Sequence, residues 1–236
     1  MIGAFLYVSC YTGPDILYTM NKLAKFSHNS GIIHFRVLIH LIGFIQTTSY
    51  KGLKYYSNHL DSPVYYKSLS SNNVQTTEES YITFSDSSWN DYVDTGRSTG
   101  WYISFNQGGS TYYGSHIPVP VVMSSVEAEY ISAAVACMRA SHLRMLTYDL
   151  RSMGCYHYDQ DIVKLEPDRI IIYNEATICM AKCNKDTAGN CHVAKRYHYV
   201  QQGTALQEHK FEWIRTKHQL ADPLTKPGSE DNFLEL

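Results

Sequence analysis

The sequence predicts an α/β domain with a mixed sheet, preceded by a helical segment. Three runs of alternating apolar and polar residues stand at 81–86, 98–105 and 110–115, and short turns join them as in an antiparallel meander. A fourth run, RIIIY at 169–173, is continuously apolar after its arginine, which is typical of a strand buried on both faces. Helical patterns separate and follow these runs, so strands and helices alternate along the second half of the chain.

The first part of the chain is predicted to be helical. One helix starts at Pro14, and a second carries apolar residues from Ile32 to about Ile45. A polar stretch poor in apolar side chains follows and is typical of a linker. We therefore expect three parts: a helical segment at 1–67, a linker at 68–80 and a second domain at 81–236.

The helices of the second domain have recognisable starts. Ser124 and Glu127 form an S-x-x-E capping box before a helix that extends to about Leu150. Asp222 and the proline after it are typical of another helix start. Between them the sequence predicts helices at 175–183 and 193–202 and a strand at 211–215.

Charge and composition exclude several classes of protein. The 236 residues include 20 Lys and Arg against 22 Asp and Glu, which argues against a uniformly basic protein that coats nucleic acid. A hydrophobic share of 44% argues against a disordered chain. No basic residue precedes the first apolar stretch, and the longest one, at 37–45, is too short to span a bilayer. We expect an intracellular protein of the cytoplasm or nucleus, without a membrane partner.

Three carboxylates stand where a charge needs a metal ion or another partner. Asp86 shares the apolar face of its strand, although the spacing is equally consistent with an exposed residue beyond the strand end. Glu129 has no local role once Glu127 caps the helix, but the helix dipole also favours a solvated acid at this position. For Asp222, local physics favours a capping role.

Four motifs, in this order, resemble the C-terminal part of copia-type LTR retrotransposon polyproteins, where the end of reverse transcriptase is followed by a ribonuclease H domain. They are YTGPDI at 11–16, FSDSSW at 84–89, SSVEAEY at 124–130 and QLADPLTKP at 219–227. The resemblance implies a ribonuclease H-like fold, with a mixed five-stranded sheet flanked by helices. It also implies four carboxylates that hold two Mg²⁺ or Mn²⁺ ions and cleave the RNA strand of an RNA–DNA hybrid.

The resemblance assigns three of these ligands and leaves the fourth in doubt. The three are Asp86, Glu129 and Asp222. Where the family has an Asp-Asn pair after the buried strand, this chain keeps the asparagine but has Tyr173 in place of the aspartate. Tyrosine is neutral at pH 7 and a poor Mg²⁺ ligand. Glu175 could substitute if the strand continued that far, whereas a helix start would turn it away.

A candidate nucleic-acid interface lies in the basic stretch 185–218, where aromatic side chains are interleaved with cations. The proposed contacts are Lys195, Arg196, Lys210, Arg215 and Lys217. The alternative is an ordinary solvated helix with an aromatic stripe in the core. The expected partners are an RNA–DNA hybrid or another nucleic acid, and the rest of a retroelement polyprotein.

Two functions of different classes are therefore open. The first is a metal-dependent nuclease that cleaves RNA in hybrids, and the second is a catalytically inactive nucleic-acid-binding or scaffold module on the same fold. The missing ligand favours impaired activity. A domain with no nucleic-acid role becomes the third option if the three carboxylates diverge. The chain contains no Asp-Asp pair, so the polymerase's own metal motif is absent and DNA synthesis is not expected.

Overall fold

Five strands form one mixed sheet at the centre of the protein. They are β1 (Ile82–Tyr92), β2 (Arg97–Asn106), β3 (Gly109–His116), β4 (Asp168–Ile172) and β5 (His209–Trp213). The strand order is β3-β2-β1-β4-β5. Strands β1, β2 and β3 pair with one another in antiparallel fashion, whereas β1, β4 and β5 are mutually parallel. This confirms the predicted mixed five-stranded sheet.

The computed structural model describes residues 2–55, 81–92, 94–106, 109–118, 121–154, 167–183 and 194–225. At positions 194, 195, 217, 223 and 225 the structure describes the backbone but not the side chain. The linker predicted at 68–80 also lies outside the described residues.

Helices cover both faces of the sheet. They are α1 (Ile2–Tyr11), α2 (Pro14–Ala24), α3 (Ile32–Thr47), α4 (Ser125–Ser152), α5 (Glu175–Lys182), α6 (Ala194–Ala205) and α7 (Asp222–Thr225). One core lies between the sheet and α4, α5 and α6, while the other contains residues of α2 and α7. Among the helices of the described ranges, none combines the length and apolar character that crossing a membrane requires.

The N-terminal helices contact the sheet. Leu17 of α2 is buried in the same apolar cluster as Trp101 of β2. The side-chain amide of Asn21 donates to Ser115 Oγ at 2.8 Å, and Lys22 forms an ion pair with Asp91. Helix α1 was not predicted, since its apolar residues show no helical periodicity.

Helix α4 begins as its capping box predicts. Ser124 Oγ accepts a hydrogen bond from the Glu127 amide at 3.2 Å, and Glu127 Oε2 accepts one from the Met123 amide at 2.8 Å. A run of buried alanines allows this helix to lie close to the sheet.

The parallel strands determine where a site can form. Because β1, β4 and β5 run in the same direction, their carboxyl ends meet at one edge of the sheet. The buried first turns of α4 and the short helix α7 reach the same edge, since α7 contacts β1 and Glu129 of α4 bonds to the residue after β4. We call this the carboxyl edge.

Candidate active site

Asp86 lies within β1, not beyond its end. The strand continues to Tyr92, and Asp86 is paired with Trp101 of β2. The residue is only 2% exposed, so the alternative of a solvated turn residue is wrong. Ser132 Oγ of α4 donates to the backbone carbonyl of Asp86 at 2.7 Å and helps to fix the strand here.

Glu129 is buried at the same edge, with 1% of the residue exposed. Its Oε1 accepts a hydrogen bond of 2.7 Å from the Tyr173 hydroxyl, while the buried Oε2 has no hydrogen-bond partner among the described residues. Burial and the nearby charge of Asp86 raise the pKa of Glu129 to about 8, although the Tyr173 hydroxyl and the dipoles of Ser87 act in the opposite direction. Burial and the Asp86 charge therefore favour the protonated form of this side chain in the absence of a metal.

Tyr173 stands among the three carboxylates, directly after β4. Its pKa is raised by burial first, then by the charges of Glu129, Asp86 and Asp222. The phenol is therefore held neutral and acts as a hydrogen-bond donor. The charges of all three predicted ligands therefore act on this hydroxyl, and Glu129 also bonds to it directly.

Asp222 completes this group from the opposite face of the sheet. Helix α7 begins at this residue, as predicted, and the Asp222 amide donates to the Gln219 carbonyl at 3.1 Å. Its side chain is partly exposed, unlike those of Asp86 and Glu129. The group formed by Asp86, Glu129, Asp222 and Tyr173 is called the carboxylate cluster below.

Glu175 does not take the place of the missing aspartate, which corrects its assignment as a stand-in catalytic residue. The side chain of Asn174 accepts a hydrogen bond from the Thr177 amide at 3.2 Å and caps α5. Glu175 is therefore the first residue of a helix, and its side chain is exposed. The helix start turns this carboxylate away from the strand direction.

Two polar residues that support the cluster were missed in the sequence. Gln219 Nε2 donates to the Ser85 carbonyl at 2.9 Å, and Ser132 Oγ accepts from Ser85 Oγ at 3.0 Å. Both residues are buried and hold β1 against the helices on either face. The available signal was a serine beside the alanines of α4 and a glutamine three positions before Asp222.

The donor set does not fit the two divalent ions that the resemblance implies. Within the described ranges, no group of three or more His, Cys, Asp or Glu side chains is arranged to hold a metal ion. One oxygen of Glu129 already accepts a hydrogen bond from the Tyr173 hydroxyl. Tyrosine supplies a neutral oxygen where the resemblance implies a charged one.

The predicted nucleic-acid contacts are only partly assembled at the carboxyl edge. Arg215 is exposed just beyond β5 at this edge, and Arg196 is partly exposed in α6. Lys210 is exposed near the opposite end of β5 and forms an ion pair of 3.0 Å with Glu212. The side chains of the two remaining contacts, Lys195 and Lys217, are outside the described residues.

The interleaved aromatic residues divide between the two interpretations of this stretch. Tyr197 and Phe211 are buried in the core beside α4, as the alternative of an aromatic core stripe predicts. Trp213, by contrast, is 43% exposed.

Comparison with known proteins finds similarity to a secreted effector protein and to retrovirus-related Pol polyproteins from transposons. Secreted RxLR effector protein 161 of Plasmopara viticola is 24% identical over 146 residues, which cover 62% of this chain and 90% of that protein. The retrovirus-related Pol polyprotein from transposon RE1 of Arabidopsis thaliana is 25% identical over 233 residues. That match covers 99% of this chain but 14% of the polyprotein, so the chain spans a small part of this relative's length.

Among solved structures, LC11-RNase H1, isolated from compost by a metagenomic approach, is 13% identical, with a TM-score of 0.42. The match covers 62% of this chain and 92% of that one. No protein-family model matches the chain.

Proposed function

We propose that this chain, which is the ribonuclease H-like region of a retrotransposon Pol polyprotein, binds RNA–DNA hybrids but hydrolyses their RNA strand poorly or not at all. The observation that carries the proposal is the hydrogen bond from Tyr173 to Glu129 inside the carboxylate cluster. A phenol stands where the family has an aspartate, and it engages one of the remaining ligands.

Impaired hydrolysis follows from the chemistry of that contact. Hydrolysis by two metal ions needs several ionised oxygens that hold the ions about 4 Å apart. Here Tyr173 is neutral and holds one oxygen of Glu129 in a hydrogen bond. With Asp86 and Asp222 as the other donors, the site lacks the charge that two Mg²⁺ or Mn²⁺ ions require. No catalytic step is therefore assigned to these ions.

Retained binding is supported by an intact scaffold with cations at its surface. Burial of β1 and β4 and the hydrogen bonds of Gln219 and Ser132 hold the carboxyl edge together through the protein's own contacts. Arg196 and Arg215 supply charge for phosphate contacts. We include Lys195, Lys210 and Lys217 in this proposed interface.

The proposal extends to the organisation and surroundings of the chain. We assign 1–67 to the end of a reverse transcriptase, 68–80 to a linker and 81–236 to the ribonuclease H-like domain. Leu17, Asn21 and Lys22 contact the sheet, which supports the packing of segment 1–67 against domain 81–236 as one unit. The remainder of a polyprotein is the expected protein partner, in the cytoplasm or nucleus.

Two assays on one labelled RNA–DNA hybrid test the proposal. Binding is followed by fluorescence anisotropy at several salt concentrations, and cleavage is followed in Mg²⁺ and in Mn²⁺. We expect binding whose logarithmic affinity falls linearly with the logarithm of salt concentration, and little or no cleavage.

A matched pair of variants tests the basic contact. Arg215→Ala should weaken binding and reduce the salt slope by about one, because one phosphate contact is lost. Arg36→Ala, which removes an exposed arginine of α3, should change neither. Robust cleavage that disappears in Asp86→Asn would contradict impaired hydrolysis. Absence of hybrid binding at low salt would contradict the binding function and favour a scaffold role.

A further inference from the structure

Two tryptophans at the carboxyl edge are unusually exposed for their size. Trp89 of β1 is 51% exposed and Trp213 of β5 is 43% exposed. The third tryptophan of the chain, Trp101, is 1% exposed and belongs to the core. Exposing a large aromatic ring forgoes the free energy of its burial, so a pair of exposed rings at one edge requires an explanation.

Each exposed ring is held in place by a hydrogen bond from its indole N–H, the one polar group of the side chain. The indole Nε1 of Trp89 donates to the Val122 carbonyl at 3.2 Å, and Nε1 of Trp213 donates to the Tyr173 carbonyl at 2.8 Å. Each indole is therefore anchored at its polar edge while much of its surface stays in solvent. An anchored ring loses little conformational entropy when a ligand covers it.

The two rings flank the carboxylate cluster. Trp89 follows Asp86 by three positions along β1, and Trp213 is paired with Ile172, the residue before Tyr173. Because β1 and β5 are both parallel to β4, these positions lie at the same edge of the sheet, on either side of Tyr173.

We propose that Trp89 and Trp213 form a stacking platform for unpaired bases of single-stranded nucleic acid at the carboxyl edge. The inference rests on the proposed nucleic-acid binding and names a further ligand class for the same edge. A paired base in a duplex is covered by its neighbours on both sides, so a protein ring stacks on an unpaired base instead.

A cation beside one of the rings favours nucleic acid over an apolar partner. Arg215, which is exposed two positions after Trp213, supplies a cation for the phosphate backbone.

Substitutions that separate stacking from apolar contact test the platform. Phenylalanine keeps an aromatic face and leucine keeps only apolar bulk, while both remove the indole N–H. We expect Trp89→Leu and Trp213→Leu each to weaken single-strand binding about tenfold. The phenylalanine variants should retain most of the affinity. Tyr148→Leu is the control, because this side chain is 57% exposed on α4 but lies about 28 Å along the helix from Glu129.

The measurement uses the full chain without divalent metal. Anisotropy of a labelled single-stranded oligonucleotide and of a blunt RNA–DNA hybrid of equal length gives the affinities, and circular dichroism confirms that each variant is folded. Tryptophan fluorescence adds a direct readout, since the single strand should quench the two exposed rings in the wild-type protein.

The possible results separate this inference from the proposed function. Loss of single-strand affinity in the leucine variants alone supports the platform. Unchanged affinity in both folded leucine variants overturns it, as does a wild-type protein that binds the hybrid but not the single strand. If the wild-type protein binds neither, both proposals are wrong.

Discussion

The hydroxyl of Tyr173 donates a hydrogen bond of 2.7 Å to Oε1 of Glu129, and this contact links two positions to which the resemblance to ribonuclease H domains assigns metal ligands. It gives a buried glutamate a neutral donor in place of a cation. The protein thereby satisfies one oxygen of Glu129 with its own side chain, while the other oxygen stays buried without a hydrogen-bond partner in the described structure.

Removing this hydroxyl should destabilise the protein. In Tyr173→Phe the ring is kept, but Oε1 of Glu129 loses its donor, so we expect the free energy of unfolding to fall by about 1–3 kcal/mol. Urea denaturation at pH 7 measures the change. Stability equal to that of the wild type would mean that water replaces the phenol without cost.

A buried histidine packs closely against a glycine of α6. A Cβ added to Gly203 would lie 2.4 Å from Cδ2 of His209, whereas one added to Gly43 of α3 would meet no atom within 4 Å. We expect Gly203→Ala to destabilise the protein by about 1–3 kcal/mol through overpacking. Gly43→Ala should stabilise it by up to about 1 kcal/mol, because alanine is the better helix former. Thermal denaturation measures both changes. If Gly203→Ala and Gly43→Ala shifted the melting temperature equally, the close packing of His209 against Gly203 would be contradicted.

His209 belongs to a second buried polar group at the opposite edge of the sheet. Asp168 forms an ion pair of 2.6 Å with Arg144, and its Oδ2 lies 3.8 Å from Nδ1 of His209. Burial raises the pKa of Asp168 to about 6, although Arg144 lowers it. Burial and the Arg144 charge lower the pKa of His209 to about 4.

This lowered pKa predicts a loss of stability on acidification. Between about pH 6.5 and pH 4, His209 binds a proton in the unfolded chain but stays neutral in the folded one. The free energy of unfolding therefore decreases as the pH is lowered through this window. Between about pH 6 and pH 3.8, Asp168 has the opposite effect, because the folded chain binds its proton more readily than the unfolded one and gains stability as the pH is lowered. As the pH is lowered through this window, we therefore expect the free energy of unfolding of the wild type to fall relative to that of His209→Gln by up to about 1.4 kcal/mol per pH unit. A pH-independent difference in denaturation free energy would contradict this role of His209.

Local sequence patterns predicted most elements, because they act over a few residues. The capping box located the start of α4, and the apolar run of β4 indicated a strand that the structure buries completely. The alternation of β1 ends at Asp86, although the strand continues to Tyr92. The later residues are held by pairing with β2, which a one-strand pattern does not contain.

The site was predicted in part, because burial and partners depend on distant elements. Motif order located Asp86, Glu129 and Asp222, but no local pattern showed that the Tyr173 hydroxyl bonds to Glu129 across 44 positions. The exposed position of Glu175 depends on the cap formed by Asn174. The sequence pattern at 151–168 predicts no helix or strand, so it does not indicate the ion pair between Asp168 and Arg144.

Restoring the missing carboxylate should restore a metal site. In Tyr173→Asp the cluster gains a charged oxygen and Glu129 loses its phenol, so divalent ions have a complete set of ligands. We expect Mg²⁺ to raise the melting temperature of this variant and to have a much smaller effect on the wild-type protein. Tyr173→Phe, which loses the hydroxyl without gaining a ligand, is the matched control.

Hydrolysis of a labelled RNA–DNA hybrid by the same proteins decides whether Tyr173 blocks the site. In Mg²⁺ and in Mn²⁺, wild type and Tyr173→Phe should release little or no product. Tyr173→Asp should cleave the RNA strand and lose that activity when combined with Asp86→Asn. Wild-type cleavage that depends on Asp86 would contradict this explanation, and so would a folded, hybrid-binding Tyr173→Asp variant that remains as inactive as the wild type.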